Sequence, residues 1–433
     1  MWFSSWLRNL RRSDSTRCVS TPAPIRNRAT FRPQLEALEG RIVPSTLTVT
    51  SAADSGAGSL RADIAAAQPG DTIAFAPNLA GQTITLTSGE LNITKGLTIQ
   101  GPGANQLTIS GNGTSREFEV NASQPVVLSG LTLTRGNGGL DGGAIYNHTT
   151  LTINNCNIVS NQANYGGGIF SRGTLAVNNS VVAADLATYS GGGIVYDGTL
   201  TLRDSTFYHD KAQLGEAGGI KSNATNSQLT ANGCTLYDNV AGDSGGGMWL
   251  AGTITLTNCT LSSNTAYGQV NGNVPPAGGG GIYVDWGPTT LTNCTVSLNS
   301  CNGLGSGINV IRSGVLNLTN TIVAGNLSRN NSLGDINGIV TTADHNLVGN
   351  VLGSSGLVNG SGGNLVGGGR NPVLNAELGP LQDNGGPTET MALLADSPAL
   401  GQADNSKAPA TDQRGDTRMD QSGETTDIGA FEL

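Results

Sequence analysis

Short runs in which apolar and polar residues alternate recur along most of the chain; Leu151-Thr-Ile-Asn-Asn-Cys156, Leu200-Thr-Leu-Arg-Asp-Ser205 and Ile254-Thr-Leu-Thr-Asn-Cys259 are three of them. A period of two sends successive side chains to opposite faces of an extended strand, so each run predicts a strand with one buried face. The runs belong to a longer repeat. A Gly-Gly element closed by an aliphatic residue ends at Ile145, Ile169, Ile194, Ile220, Met248 and Ile282, with a variant at Ile308 (Gly305, Ser306, Gly307), in steps of 24, 25, 26, 28, 34 and 26 residues. A second element keeps phase with it: an apolar residue, any two residues, then Asn or Asp. It occurs at Ile158/Asn161, Val182/Asp185, Phe207/Asp210, Leu236/Asn239, Leu261/Asn264, Val296/Asn299 and Val323/Asn326. Two residues before each apolar position stands Cys156, Ser180, Ser205, Cys234, Cys259, Cys294 or Thr321.

A cycle of about 25 residues holding two or three strands has no core of its own, so neighbouring cycles must stack and share one. Stacking at about 4.8 Å per rung pairs each backbone with the next. The expected fold is all-β: a right-handed parallel β-helix, the hand being the usual one for parallel crossovers. Glycine at each corner allows positive φ and close backbone approach. The repeated Asn or Asp is placed to bond the turn backbone, or the same residue one rung away.

Terminal rungs are open sheet edges and need covers. Ser59-Leu-Arg-Ala-Asp-Ile-Ala-Ala-Ala67 predicts a short capping helix with Ser59 as its N-cap. After about residue 327 the markers fade and Gly, Asn and Pro dominate. The expected organisation is a disordered export or targeting segment over 1–45, a β-helix over 46–330, and late irregular rungs with a C-terminal cap over 331–433.

Charge sharpens this division. Residues 1–45 carry +5 and the remainder −14, for a net −9. An acidic body lacks the cationic field that binds nucleic acid and suits an extracellular surface. No apolar run is long enough for a membrane-spanning helix. The apolar residues of Met1–Leu10 are interrupted by Arg8 and followed by Arg11 and Arg12, which departs from a clean secretory signal.

Among its glycines and strands the chain carries residues that resemble known bacterial surface proteins. Gly56-Ala-Gly-Ser-Leu-Arg-Ala-Asp-Ile-Ala-Ala-Ala-Gln-Pro-Gly-Asp-Thr-Ile-Ala-Phe75 and Leu97-Thr-Ile-Gln-Gly-Pro-Gly-Ala104 resemble the opening of right-handed β-helix surface proteins. Gly142-Gly-Ala-Ile145 is similar to the short repeat of polymorphic outer-membrane protein adhesins, whose Phe-x-x-Asn half survives here as Leu261-Ser-Ser-Asn264. Leu378-Gly-Pro-Leu-Gln-Asp-Asn-Gly-Gly-Pro-Thr388, Thr411-Asp-Gln-Arg-Gly415 and Asp427-Ile-Gly-Ala-Phe-Glu432 resemble the choice-of-anchor Q family. Together these segments span about residues 47–433. The chain departs from that family at Met391, where His is usual, and at Gly401-Gln-Ala403, where Asp-Ala-Gly is usual. Arg32-Pro-Gln-Leu-Glu-Ala-Leu-Glu-Gly-Arg-Ile-Val-Pro-Ser45 resembles a motif that precedes exported proteins. The resemblance implies an exported protein, extracellular or at the cell surface, and implies no particular activity.

The candidate chemistry is sparse. If the marker residues point inward, the residues after them point out. Those are Tyr146, Phe170, Trp249 and Tyr283, with Tyr196 one residue beyond Val195. Exposed rings along one strip suit the faces of sugars or a partner protein, such as a polysaccharide or an envelope component. The structural alternative is that the rings stack on each other or lie under loops. The insertion between Asn264 and Ile282, through Tyr267, Asn271, Pro275 and Pro276, neighbours Trp249 and Tyr283 and could line the same face. Asp185 and Asp210 would lie one rung apart, the spacing of a glycosidase pair, but they fill the repeat's structural Asn slot. Asp204, Asp238, Asp243 and Asp285 fall in different phases, and His148, His209 and His345 stand apart from any nucleophile. Cys234 and Cys259 could form a disulfide between adjacent rungs, or serve with Cys156 and Cys294 as small buried residues.

The expected function is therefore a non-catalytic, adhesin-like or polysaccharide-binding surface protein, without a cofactor; calcium would need an acidic cluster that no motif announces. A polysaccharide lyase or glycoside hydrolase on the same fold is the alternative from a different class, and a structural envelope protein is a third. Three or more carboxylates with a Lys or Arg on one face would discriminate in favour of the enzyme.

Overall fold

The computed structural model describes residues 44–268, 278–328, 334–418 and 425–433. All but the last two residues of the expected export segment and most of the insertion between Asn264 and Ile282 lie outside the described residues. From Thr46 the chain coils into a parallel β-helix of about 11 turns. One complete turn shows the unit: strands Ile145–Asn147, Thr150–Asn154, Asn157–Val159 and Gln162–Tyr165. The next turn repeats it as Ile169–Ser171, Thr174–Asn178, Val181–Ala183 and Leu186–Ser190. Register is strict, with Ile145 against Ile169, Leu151 against Leu175 and Ile158 against Val182. The four strand columns are called here the marker, second, third and fourth faces. The marker residues, the apolar pairs of the second face and the central apolar residue of each third-face strand, from Ile158 to Val323, point inward and are fully buried.

Two corners are set by local chemistry. Between the second and third faces the chain passes through positive φ at Asn155, Asn179, Asp204, Asn258, Asn293 and Asn320, residues whose short polar side chains tolerate that conformation. Ahead of each marker the chain turns on glycine. At Gly191 φ is +63°, and a β-carbon on Gly192 would lie 2.3 Å from both Gly218 O and Lys211 N, so no larger residue fits where rungs meet there.

The recurring Asn/Asp column runs inside the solenoid as a hydrogen-bonded ladder. Asn239 N and Nδ2 donate to Asn264 Oδ1 at 3.1 and 2.9 Å, and Asn264 repeats both bonds to Asn299 at 3.0 and 2.9 Å. Each Nδ2 also donates to a carbonyl of the preceding rung, Phe207 O for Asn239 and Leu236 O for Asn264. Asp185 and Asp210 occupy rungs of this ladder, so their role is structural. The cysteine column lies beside it. All five described cysteines are free thiols and buried, including Cys234 and Cys259, and burial pushes the Cys156 thiol up to about 11.

The N-terminal cover is the helix α1, Leu60–Ala66, with Ser59 Oγ accepting from Ala62 N at 3.2 Å and Leu60 and Ile64 buried on the first rungs. At the other end, coiling continues beyond 330 through Ile336–Asp344 and Leu347–Val348 to Leu365–Val366. The remaining residues do more than close that end. An antiparallel pair, Leu378–Gln382 with Thr390–Leu393, leads into a strap that runs back along the outside of the third face. Gln413 Nε2 donates to Thr235 Oγ1 at 2.8 Å and Thr260 Oγ1 donates to Gln413 Oε1 at 2.7 Å. Gly429 N reaches Asn320 O and Ala430 N reaches Thr295 Oγ1. A second apolar core, with Ile322, Ala324, Leu347, Leu393, Ile428 and Phe431, fills the space between strap and solenoid.

Candidate functional site

Outward positions of the marker face stack in one column: Tyr146, Phe170, Val195, Lys221, Trp249, Tyr283 and Asn309. Their inward neighbours Ile145 through Ile308 are fully buried, so the parity expected from the sequence holds. Tyr196 does not belong to this strip. It pairs with Ser171 and Ser222, points into the solenoid and is 0% exposed, because one step along a strand reverses the face. Phe170 is also nearly buried, edge-on to Tyr146 at 5.6 Å between centroids.

The other rings are half-exposed and engaged by ions. Arg116 and Arg172 lie over Tyr146 at 5.2 and 5.4 Å, and His148 packs against it. Trp249 is held between Lys221, 5.3 Å from its ring centre, and Tyr283, stacked at 6.2 Å and 13°. The rings therefore do stack, as the structural alternative expected. The far face of Tyr283, above Asn309 on the next rung, carries no stacked ring among the described residues. Asn309 is buried and accepts from Asn337 Nδ2 at 2.8 Å, so the column continues past Tyr283 as amides.

Charges from the corners gather around these rings. Glu216 pairs with Lys221 at 3.2 Å and accepts from Ser190 Oγ at 2.8 Å. Burial works against its charge, yet Lys221 and Ser190 hold Glu216 below its ordinary range. Asp243 is the opposite case: burial first, and then Glu216, push it up to about 6, and its Oδ1 is a buried atom without a partner. Asp285 is raised by burial against the pull of Arg312, which it meets at 2.6 Å. Burial and Asp285 push the Tyr283 phenol up to about 12. Glu216, Asp243 and Asp285 with Lys221 and Arg312 thus meet the criterion of three carboxylates and a base on one face. Asp243 and Asp285, which differ in repeat phase, are brought together by stacking. A similar group surrounds Tyr146: Arg116 pairs with Glu90, His148 with Glu119 at 3.0 Å, and Arg172 with Asp141 at 3.7 Å.

Chemically, the Tyr283 end offers half-exposed rings, a guanidinium and the Asp243 carboxyl pushed up to about 6. That set binds a sugar by stacking and polar contact, and it contains the components of acid–base catalysis. Lys221 is committed to Glu216, Ser190 and Trp249, which leaves Asp243, pushed up to about 6, as the candidate acid.

The remaining candidates lie elsewhere. His209 packs against Tyr208 and Tyr237, two stacked rings 5.1 Å apart on the third face, and meets Asp238 at 3.6 Å. Asp344, His345 and Asp404 bring potential metal ligands within 4.8 Å of one another, and Lys407 supplies positive charge there by pairing with both aspartates.

No family model and no curated protein matches the chain. Among solved structures it is similar to the pectate lyase Pel9A, at 12% identity over 91% of this chain and 97% of that one, with a TM-score of 0.45. It is also similar to a mannuronic acid specific polysaccharide family 6 lyase from human gut microbiota, at 11% identity over 66% of this chain and 82% of that one, with a TM-score of 0.32. A family 6 alginate lyase, AlyGC, matches at 11% identity over 89% of this chain and 57% of that one, with a TM-score of 0.29.

Proposed function

We propose that the chain is an exported bacterial surface protein, of the choice-of-anchor Q kind, that holds a polysaccharide along its marker face. The supporting observation is the half-exposed Lys221–Trp249–Tyr283 stack with the exposed Arg312 guanidinium beside it. Sugars present an apolar ring face and a rim of hydroxyls, and this end supplies a partner for each. The Tyr146 and Phe170 rings extend the same face, Phe170 as a support for Tyr146. Binding of residues 46–433 to a panel of polysaccharides tests the reading. Tyr283→Ala should weaken binding by about 1–2 kcal/mol, roughly five- to thirtyfold, with Trp249→Ala close behind because it removes the ring that positions Tyr283. Unchanged affinity in both variants would overturn it.

A second reading is favoured by Asp243, an unpartnered carboxyl pushed up to about 6 beside Glu216. On this reading the bound glycan is also cleaved, with Asp243 transferring a proton. Wild type would then release reducing or unsaturated ends, and Asp243→Asn would abolish release while leaving affinity within a few-fold. Intact polysaccharide after long incubation with wild type sinks the catalytic reading and leaves the binding one standing.

A further inference from the structure

Two arginines on the marker face share an arrangement that the repeat does not dictate. Arg172 reaches back to Asp141 on the preceding turn, and Arg312 reaches back to Asp285 on its preceding turn. In each pair the acid is nearly buried and the arginine is not: side-chain exposure is 10% for Asp141 against 54% for Arg172, and 11% for Asp285 against 65% for Arg312. Each arginine also sits by an outward ring, Arg172 over Tyr146 and Phe170, Arg312 beside the Tyr283 position. Each arginine offsets the burial of its carboxylate, a task that occupies only one side of the guanidinium. Arg312 Nη1 donates to Asp285 Oδ1 at 2.6 Å and Arg172 lies over two rings, so each guanidinium is held while its side chain stays more than half exposed. That geometry suits bidentate capture of a carboxylate or sulfate.

We propose that Arg172 and Arg312 are the two ends of a clamp for an anionic polysaccharide lying parallel to the solenoid axis; this rests on the marker face being the glycan site. Between them lie five rung steps, from the turn of Ile169 to that of Ile308. At about 4.8 Å per rung the separation is about 24 Å. The occupant is therefore a chain of several sugar units carrying acid groups at intervals, since a disaccharide is too short to meet both ends. Two weak anchors on one chain act together, the second binding at the effective concentration set by the first.

The test uses the full chain with dextran, dextran sulfate, polygalacturonate and oligogalacturonides of increasing length, each titrated with wild type, Arg172→Gln, Arg312→Gln, the double variant, Tyr283→Ala and Arg203→Gln. Arg203 is an exposed cation on the second face and controls for general charge. Each marker-face arginine variant should lose about tenfold on the anionic chain, and the double variant should fall to the level of dextran. Affinity should rise abruptly once the oligogalacturonide spans both arginines. Preference for dextran sulfate or for polygalacturonate identifies the acid group, and either supports the clamp. Equal binding of dextran and its sulfate, lost in Tyr283→Ala but not in the arginine variants, would overturn the clamp and keep the glycan site. Losses equal to those of Arg203→Gln, or no dependence on length, would also overturn the clamp. Binding indifferent to Tyr283 and to both arginines would overturn the clamp together with the site.

Discussion

Arg418→Met should release the C-terminal strap while the first turns of the solenoid stay coiled. The Arg418 side chain is 0% exposed and serves four acceptors: Glu432 Oε2 at 2.9 Å, Gly429 O at 2.7 Å, Asn258 Oδ1 at 3.1 Å and Asp427 O at 3.4 Å. One of these lies on the solenoid and the others on the strap, so this one side chain joins the two. Removing one member of a buried ion pair costs about 3–5 kcal/mol, because its partner is left uncompensated. Arg414 and Asp412 form a neighbouring pair and Phe431 lies under Arg414, but none of these replaces the bond to Asn258. Hydrogen exchange should show residues 388–418 and 425–433 losing protection, and with them the Thr235, Thr260 and Thr295 positions of the third face. Strands from Ile145 to Arg203 should be unaffected. Uniform loss over the whole chain, or no loss, would show that the strap is not a separate unit. Glu432→Gln provides the complementary test. Burial pushes Glu432 up to about 7 even opposite Arg418. A carboxyl whose folded pKa is raised contributes most below its unfolded pKa, about 4.3, and that contribution disappears as pH rises through about 7. Strap protection should therefore weaken between pH 5 and 8 in wild type and change less in Glu432→Gln.

The coiled part of this molecule was legible in the sequence because a parallel solenoid turns sequence period into spatial register. Ile145, Ile169, Ile194, Ile220, Met248, Ile282 and Ile308 were aligned by their glycines alone, and they pair in that order. The helix followed from a single N-cap and a short apolar pattern. The charged part of the site was not legible. Glu216 precedes its marker, Asp285 and Arg312 follow theirs, and Asp243 enters from the corner before the glycines. Corner residues carry no periodic constraint, so their sequence offsets differ although stacking brings them together. Tyr196 lies inside for a simpler reason: strand parity outweighs aromatic character. The strap was hidden because contacts such as Thr260–Gln413 join residues 153 apart with no repeat to announce them. The segments Thr411–Gly415 and Asp427–Glu432, conspicuous as a resemblance, turn out to hold Asp412, Gln413, Arg414 and Glu432, the residues that fasten the strap.

The internal ladder yields the second large effect: Asp210→Asn, and Asp185→Asn with it, should stabilise the protein above neutral pH. At Asn rungs each side chain donates twice, to the next Oδ1 and to a preceding carbonyl, as Asn239 does to Asn264 and to Phe207 O. At Asp185 and Asp210 the backbone half of the ladder persists, but the second oxygen of each has no partner. By register that oxygen stands where the ladder expects a donor, so only the protonated acid can serve. Burial raises both carboxyls well above their ordinary value, and Asp185 adds to the effect on Asp210. The sign follows. The unfolded chain gives up these protons near pH 4 while the folded chain keeps them, so folding is favoured most below about 3.9 and loses ground as pH rises toward the folded values. Asparagine supplies the missing donor without a proton to lose. A satisfied buried amide in place of an unsatisfied carboxyl is worth about 1–3 kcal/mol per position at pH 8. At pH 4 the difference should shrink to the modest worth of one added hydrogen bond, about 1 kcal/mol. Denaturation of wild type and the double variant at pH 4, 6 and 8 measures this, with hydrogen exchange over 158–212 locating the effect. Equal slopes with pH, or a less stable variant at pH 8, would mean that the two acids have partners at those rungs that the ladder's register does not reveal.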